Sequence, residues 1–195
     1  MTRTRIDAGI IVAFQDGEHR ILRDGSIMVE NDRVIAVGVR SDAPADEVVD
    51  ARDRLVAPGY INTHTHLTES PLDKSMLEDI GSRQFSMSGL AEMLPARGAA
   101  IDDDARHASV DYSMAELIRT GTTTVMEIGG HGDYTVDAAE QAGMRAYIAN
   151  GYRSGRWLTR DGKKMTYEWD EAAGVKGFEA ALDFIDRIDG RADGR

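Results

Sequence analysis

The 195 residues contain no cysteine. This excludes a disulfide framework, a thiolate nucleophile and any cysteine-ligated zinc or iron–sulfur site, and it fits a reducing, cytoplasmic compartment. Basic residues are in short supply: 23 Lys and Arg stand against 34 Asp and Glu, a formal net charge of −11. Nucleic acid and anionic membrane surfaces both call for a basic face that releases counterions, so neither is an expected partner. No run of about 18 apolar residues occurs, so no membrane-spanning helix is predicted. Met1–Arg5 is basic, but Asp7 and Gly9 interrupt the apolar stretch Ile6–Phe14 and no small-residue cleavage pattern follows it, so no signal peptide is read. Phosphate-cradling and nucleophile-elbow motifs are also missing: Gly129-Gly130-His131-Gly132 lacks the spacing and the lysine of a P-loop, and no G-x-S-x-G occurs.

What is present is a hydrophobic fraction of 42%, enough for one domain with a buried core or two small ones. Residues 1–57 read as a β-rich, sandwich-like part. Ile10–Phe14, Ile21–Arg23, Ser26–Glu30 and Val34–Val39 are short Ile- and Val-rich runs, punctuated by Asp16-Gly17, Asp24-Gly25 and Asn31-Asp32. Ile27–Ile35 has the form of a hairpin on a two-residue Asn-Asp turn, and Val48–Asp50 with Arg54–Val56 predicts a further strand pair. The whole predicts a small antiparallel sheet or half-sandwich. Ala57-Pro58-Gly59 breaks the pattern, and residues 58–195 form the second expected domain.

Beyond the break the period changes. Tyr60–His66 predicts a strand, and Ser86–Leu94 a short helix stopped by Pro95. Asp102-Asp103-Asp104 opens a helix with acids in its first turn; Ala108, Tyr112, Ala115 and Ile118 supply its expected apolar stripe, and Gly121 caps it. Thr122–Ile128 predicts a strand, Val136–Ala142 a helix ending at Gly143, and Arg145–Asn150 a third strand. A polar, aromatic loop follows over Gly151–Asp170, then a helix whose expected apolar stripe is Phe178, Ala181, Leu182 and Ile185. Alternation of this kind predicts an α/β fold with a parallel sheet and helices outside it.

Two of the five histidines stand as His64-Thr65-His66 at the end of the first of these strands. Side chains at i and i+2 share a strand face, so Asn62, His64 and His66 line one side while Ile61, Thr63, Thr65 and Leu67 line the other. Two imidazoles whose backbones are roughly 6–7 Å apart can converge on one metal ion. Neutral imidazole suits zinc, iron, nickel or copper alike. On spacing alone a structural role for the pair stays open. A polar strand tip at the C-terminal end of the first strand of a βα series favours a bound group, because leaving it unpaired costs desolvation.

The stretch Val56-Ala57-Pro58-Gly59-Tyr60-Ile61-Asn62-Thr63-His64-Thr65-His66-Leu67 resembles the opening signature of the amidohydrolase superfamily, in the branch of cytosine- and guanine-deaminase-like enzymes and triazine hydrolases. The run Ala115–Val125 looks like that family's first barrel helix entering its second strand, and a hairpin-rich segment precedes the signature as it does there. The resemblance extends from Ile6 to about Ile188. It implies a small β-rich part followed by the first three βα units of a (β/α)8 barrel. It also implies His64 and His66 as two ligands of one divalent metal, zinc with iron as the alternative. The chemistry implied is hydrolysis of a C–N bond in a small molecule, by deamination or amide cleavage, or less readily of a C–Cl bond.

In the family the other ligands, two His and an Asp, come from later strands. The stretch from Pro58 onward holds three strand–helix units in roughly 140 residues, whereas an eight-unit barrel takes about 250. His19 lies in the β-rich part and His107 on a helix read as facing outward, so neither replaces the missing ligands. Three explanations follow. The chain is one half of a split enzyme, with a complementary polypeptide carrying strands four to eight in a higher heteromeric oligomer. It is a fragment of a longer chain. Or it is a truncated, non-catalytic subunit that acts in binding or assembly.

Lesser candidates complete the reading. Glu69, three residues past His66, either faces the substrate, where relatives often carry Gln, or is a solvated loop acid. Glu127, near the end of the second strand, either supports a ligand histidine from behind or makes a structural salt bridge. His131, in the loop after that strand, either touches substrate or is a surface histidine. Tyr152, Trp157, Tyr167 and Trp169 form a lid or subunit contact, or simply pack the long loop locally.

Overall fold

The computed structural model describes residues 1–74, 98–160 and 164–194, and within it the chain divides into two compact units, Met1–Gly59 and Tyr60–Arg195. The helix expected at Ser86–Leu94 lies outside the described residues.

The first unit is a four-stranded sheet of β1 (Arg3–Gln15), β2 (Glu18–Glu30), β3 (Arg33–Val39) and β4 (Glu47–Val56), in the order β3-β2-β1-β4. The Asn31-Asp32 hairpin forms as expected, pairing Glu30 with Arg33. Asp24-Gly25 does not turn the chain. Asp24 takes a left-handed backbone (φ 50°) inside a continuous β2 that keeps one register with β1 on either side of it; on the opposite edge of β1 the pairing with β4 shifts register between Ala8 and Ile10. The residue skipped there, Gly9, lies so close to the Arg52 carbonyl that a Cβ would overlap it. Val48–Asp50 and Arg54–Val56 likewise belong to one strand, β4, which pairs with β1 in parallel, so the sheet is mixed rather than antiparallel. Ala8, Ile11, Ala13, Ile27 and Ala51 form its core.

The second unit alternates strand and helix: β5 (Tyr60–Thr65), the short α1 (Ser70–Asp73), α2 (Asp103–Arg119), β6 (Thr122–Gly129), α3 (Gly132–Ala142), β7 (Arg145–Asn150) and α4 (Glu171–Ile188). Strands β5, β6 and β7 form a parallel sheet in that order. Between β7 and α4 the expected loop contains an antiparallel hairpin, β8 (Gly155–Thr159) and β9 (Met165–Trp169), in which Trp157 pairs with Tyr167. The core joins Leu67, Val110, Met114, Val125, Ala139 and Met144.

The termini of α2 follow their sequence signals. The Asp102 side chain accepts the Ala105 N–H at 2.9 Å, and Gly121 follows in a left-handed conformation (φ 91°). Its stripe does not. Ser109, Val110, Ser113 and Met114 are buried, while Tyr112 and Ile118 are exposed. The serines are tolerated because their hydroxyls are satisfied: Ser109 donates to the Ala105 carbonyl at 2.8 Å, and Ser113 to that of Leu67 at 3.0 Å. Helix α4 is rotated from expectation in the same way. Gly174 and Phe184 are buried, whereas Phe178, Leu182 and Ile185 remain 46–53% exposed. The glycines set this rotation: a Cβ on Gly177 would fall 2.7 Å from the Tyr152 Cβ. No described helix is long and apolar enough to cross a membrane.

Candidate metal centre

At the C-terminal end of β5 the alternation holds. Thr65 and Leu67 are buried, while His64 and His66 stand on the accessible side. The two rings are 5.1 Å apart at their centroids and inclined by 71°, with His64 Nε2 3.2 Å from His66 Nε2. Two donors bound at 2.0–2.1 Å to one tetrahedral cation lie about 3.3–3.4 Å apart, so the pair has the chord of a chelate with almost no rearrangement. Without a cation the same approach requires one ring to donate its N–H to the lone pair of the other.

The backbone around the pair is tied down. The His66 carbonyl accepts three hydrogen bonds, from Glu69 N (3.1 Å), Ser70 N (2.8 Å) and Ser70 Oγ (2.8 Å), and the His64 N–H donates to Asn62 Oδ1 at 3.2 Å. Across the sheet, Glu127 on β6 is 1% exposed. Its Oε2 accepts from Leu67 N at 2.8 Å and from Thr65 Oγ1 at 3.0 Å; its Oε1 has no partner. Burial pushes the Glu127 carboxyl above its ordinary range, against the opposing pull of the Leu67 N–H and the Thr65 hydroxyl. Glu127 therefore meets the residues on either side of His66.

Glu69 sits at the N-cap of α1, and its charge raises the Glu127 pKa slightly further. His131 caps α3 in a left-handed backbone (φ 59°). Its ring points to α2, with Nε2 3.8 Å from Asp103 Oδ1 and its centroid 5.8 Å from that of His107, the planes inclined by 80°. His107 does not face outward: it is half-buried and stacked on Tyr134. Thr65 and Ser70 were not singled out from the sequence. The signal for Thr65 was available, since a residue between two same-facing histidines must point inward. Among the described residues no group of three or more His, Asp or Glu side chains is arranged to hold a metal ion, so the pair stands as two donors.

Residues 55–181 match the amidohydrolase family. The chain belongs to that family. Among its relatives is a 5'-deoxyadenosine deaminase from Methanosarcina barkeri, 27% identical over 184 residues that cover 94% of this chain and 38% of the relative. An adenosine deaminase from Xanthomonas campestris, solved with bound zinc, superimposes with a TM-score of 0.72 at 23% identity, covering 95% of this chain and 39% of that one. A triazine hydrolase from Arthrobacter aurescens gives a TM-score of 0.73 at 22% identity, with 96% and 43% covered. These likenesses fit the branch expected from the signature. This amidohydrolase chain spans less than half the length of each.

Proposed function

We propose that this chain is the N-terminal portion of a metal-dependent amidohydrolase that deaminates an aminoheterocycle or cleaves an amide. The observation that carries this is the 3.2 Å approach of His64 Nε2 to His66 Nε2 at the end of a parallel strand. The two imidazoles would hold one divalent cation, and zinc is favoured by the bound zinc of the Xanthomonas structure. Such an ion supplies Lewis acidity that brings the pKa of a water to about 7, making a nucleophile available at neutral pH. The relatives that act on adenosine and 5'-deoxyadenosine point to an aminopurine-like ring as the substrate class.

The residues of this chain hold and orient, and the remaining work falls elsewhere. His64 and His66 present two lone pairs, and the triple hydrogen bond on the His66 carbonyl keeps its backbone from swinging away. Two donors do not close a tetrahedral site, so the other ligands and the general acid–base come from barrel strands four to eight, on a complementary polypeptide or further chain. Several surfaces support that completion. Strands β5 and β7 are the outermost of their sheet, and the apolar residues of α4 face outward. Beside β7, a groove of about 280 Å³ is lined by Tyr147, Ile148, Ile185 and Ile188 among others. The lack of cysteine supports a cytoplasmic setting.

Zinc titration calorimetry on the chain, its His64→Ala and His66→Ala variants, and the chain co-expressed with a polypeptide carrying the later strands tests the reading. Zinc uptake that either substitution abolishes, with ammonia release from an aminopurine nucleoside only in the co-expressed complex, is the expected result. Equal zinc binding by wild type and both variants overturns it. A complex that forms yet never takes up metal identifies instead the non-catalytic subunit that the two-donor count also allows.

A further inference from the structure

A carboxylate as deep as Glu127 ordinarily sits beside a cation, because an unpaired buried charge is costly. Among the described residues no lysine or arginine acts on its carboxylate, though the charge of His66 does, and its Oε1 accepts no hydrogen bond. What it does have is a grip on two groups. Thr65, its partner in the parallel register, shares the proton of its Oγ1 between Glu127 Oε2 (3.0 Å) and the Met126 carbonyl (2.9 Å), and Leu67 donates from its backbone N–H. These two residues bracket His66. Fixing both of them on the inner side of the strand end sets the pleat between them, and the pleat decides where the His66 ring goes. The position is built for the purpose on the β6 side as well: a Cβ at Gly129 would fall 2.6 Å from Glu127 Oε1, so glycine there leaves the carboxylate its room.

We infer that Glu127 is the positioning residue of the histidine pair. Through the Thr65 hydroxyl and the Leu67 amide it holds the His66 imidazole at chelating distance from that of His64. This rests on the metal-centre reading above and deepens it. Glu127 touches neither ring. It acts through the backbone and side chain of its neighbours, and a side chain with one acceptor oxygen in the same place does the same work.

The test uses Glu127→Ala, Glu127→Gln and Thr65→Val, with two readouts. In metal-free protein, hydrogen exchange at the Leu67 amide reports the grip. Titration with zinc chloride reports its consequence. Glu127→Ala is expected to speed Leu67 exchange and to weaken zinc binding about 10–100-fold, the usual cost of losing a supporting partner. Glu127→Gln keeps an acceptor oxygen and is expected to restore both, and Thr65→Val to give an intermediate loss. Should the alanine variant fail to fold, the Thr65→Val and Glu127→Gln pair carries the same comparison. Unchanged exchange and affinity in the alanine and valine variants, or a glutamine variant as weak as alanine, overturns the inference. Wild-type protein that binds no zinc counts against the metal centre, while the exchange arm still decides on Glu127.

Discussion

His107 on α2 lies face to face with Tyr134 on α3, their ring centroids 3.8 Å apart and their planes within 1° of parallel. One helical turn further along α2, Asp111 accepts a 2.9 Å hydrogen bond from the Tyr134 hydroxyl, and this bond is the main reason the phenol is held above its ordinary pKa. A phenol raised in this way contributes its stability below the ordinary value near 10 and loses it as pH rises further. Spectrophotometric titration should show a late-ionising tyrosine that is missing in Tyr134→Phe. It should move back toward the ordinary phenol value in Asp111→Asn.

Asp7 in β1 makes the opposite case. The Ser26 hydroxyl, 2.7 Å away, and then Arg5 at 3.1 Å hold its carboxyl below the usual range. Stability from a depressed carboxylate is present above about pH 4 and is lost as pH falls through the lower folded value. The first unit should therefore loosen on acidification, and Asp7→Asn should flatten that acid limb. Hydrogen exchange at β1 and β2 amides is the measurement, because every Trp and Tyr of the chain lies beyond Gly59.

Gly130, in the loop after β6, and Gly132, the first residue of α3, have different reasons to be glycine. A Cβ on Gly132 would meet the Phe184 ring at 2.6 Å, whereas nothing lies within 4 Å of one on Gly130. Gly132→Ala should destabilise the second unit by about 1–3 kcal/mol through overpacking. Gly130→Ala should be neutral or stabilise by up to about 1 kcal/mol. Urea unfolding followed by tryptophan fluorescence separates the two.

On α4, Phe184 is 1% exposed and Leu182 is 46% exposed. Phe184→Ala should cost about 3–5 kcal/mol in the same assay. Leu182→Glu should stay within about 0.5 kcal/mol in the isolated chain. In the co-expressed complex the same Leu182→Glu substitution should weaken assembly, read by size-exclusion chromatography.

The local signals that were legible in the sequence are those fixed by backbone chemistry. Asn31-Asp32 turned a hairpin, Asp102 capped α2, Gly143 ended α3 in a left-handed conformation, and the period-two face joined His64 to His66. The readings that failed depended on contacts far along the chain. Asp24-Gly25 reads as a turn until β1 runs alongside it, and then the positive φ of Asp24 is carried within a continuous strand. The stripes of α2 and α4 were chosen by side-chain apolarity, yet burial followed close approach. Serines with satisfied hydroxyls and glycines against Tyr152 and Ser154 faced inward, and Tyr112 and Phe178 stayed out. At the candidate site, the histidines were legible because their i, i+2 spacing puts both rings on one strand face. The support from Thr65 and Glu127 was less so, because it arises only when β5 and β6 lie side by side.

Among the described residues, the two margins of the parallel sheet, β5 and β7, pair with no further strand. Each of β5 and β7 offers a row of main-chain donors and acceptors to any extended segment that reaches it, and the acidic surface only slows that approach through mutual repulsion. Left alone at high concentration, the chain should polymerise through those margins.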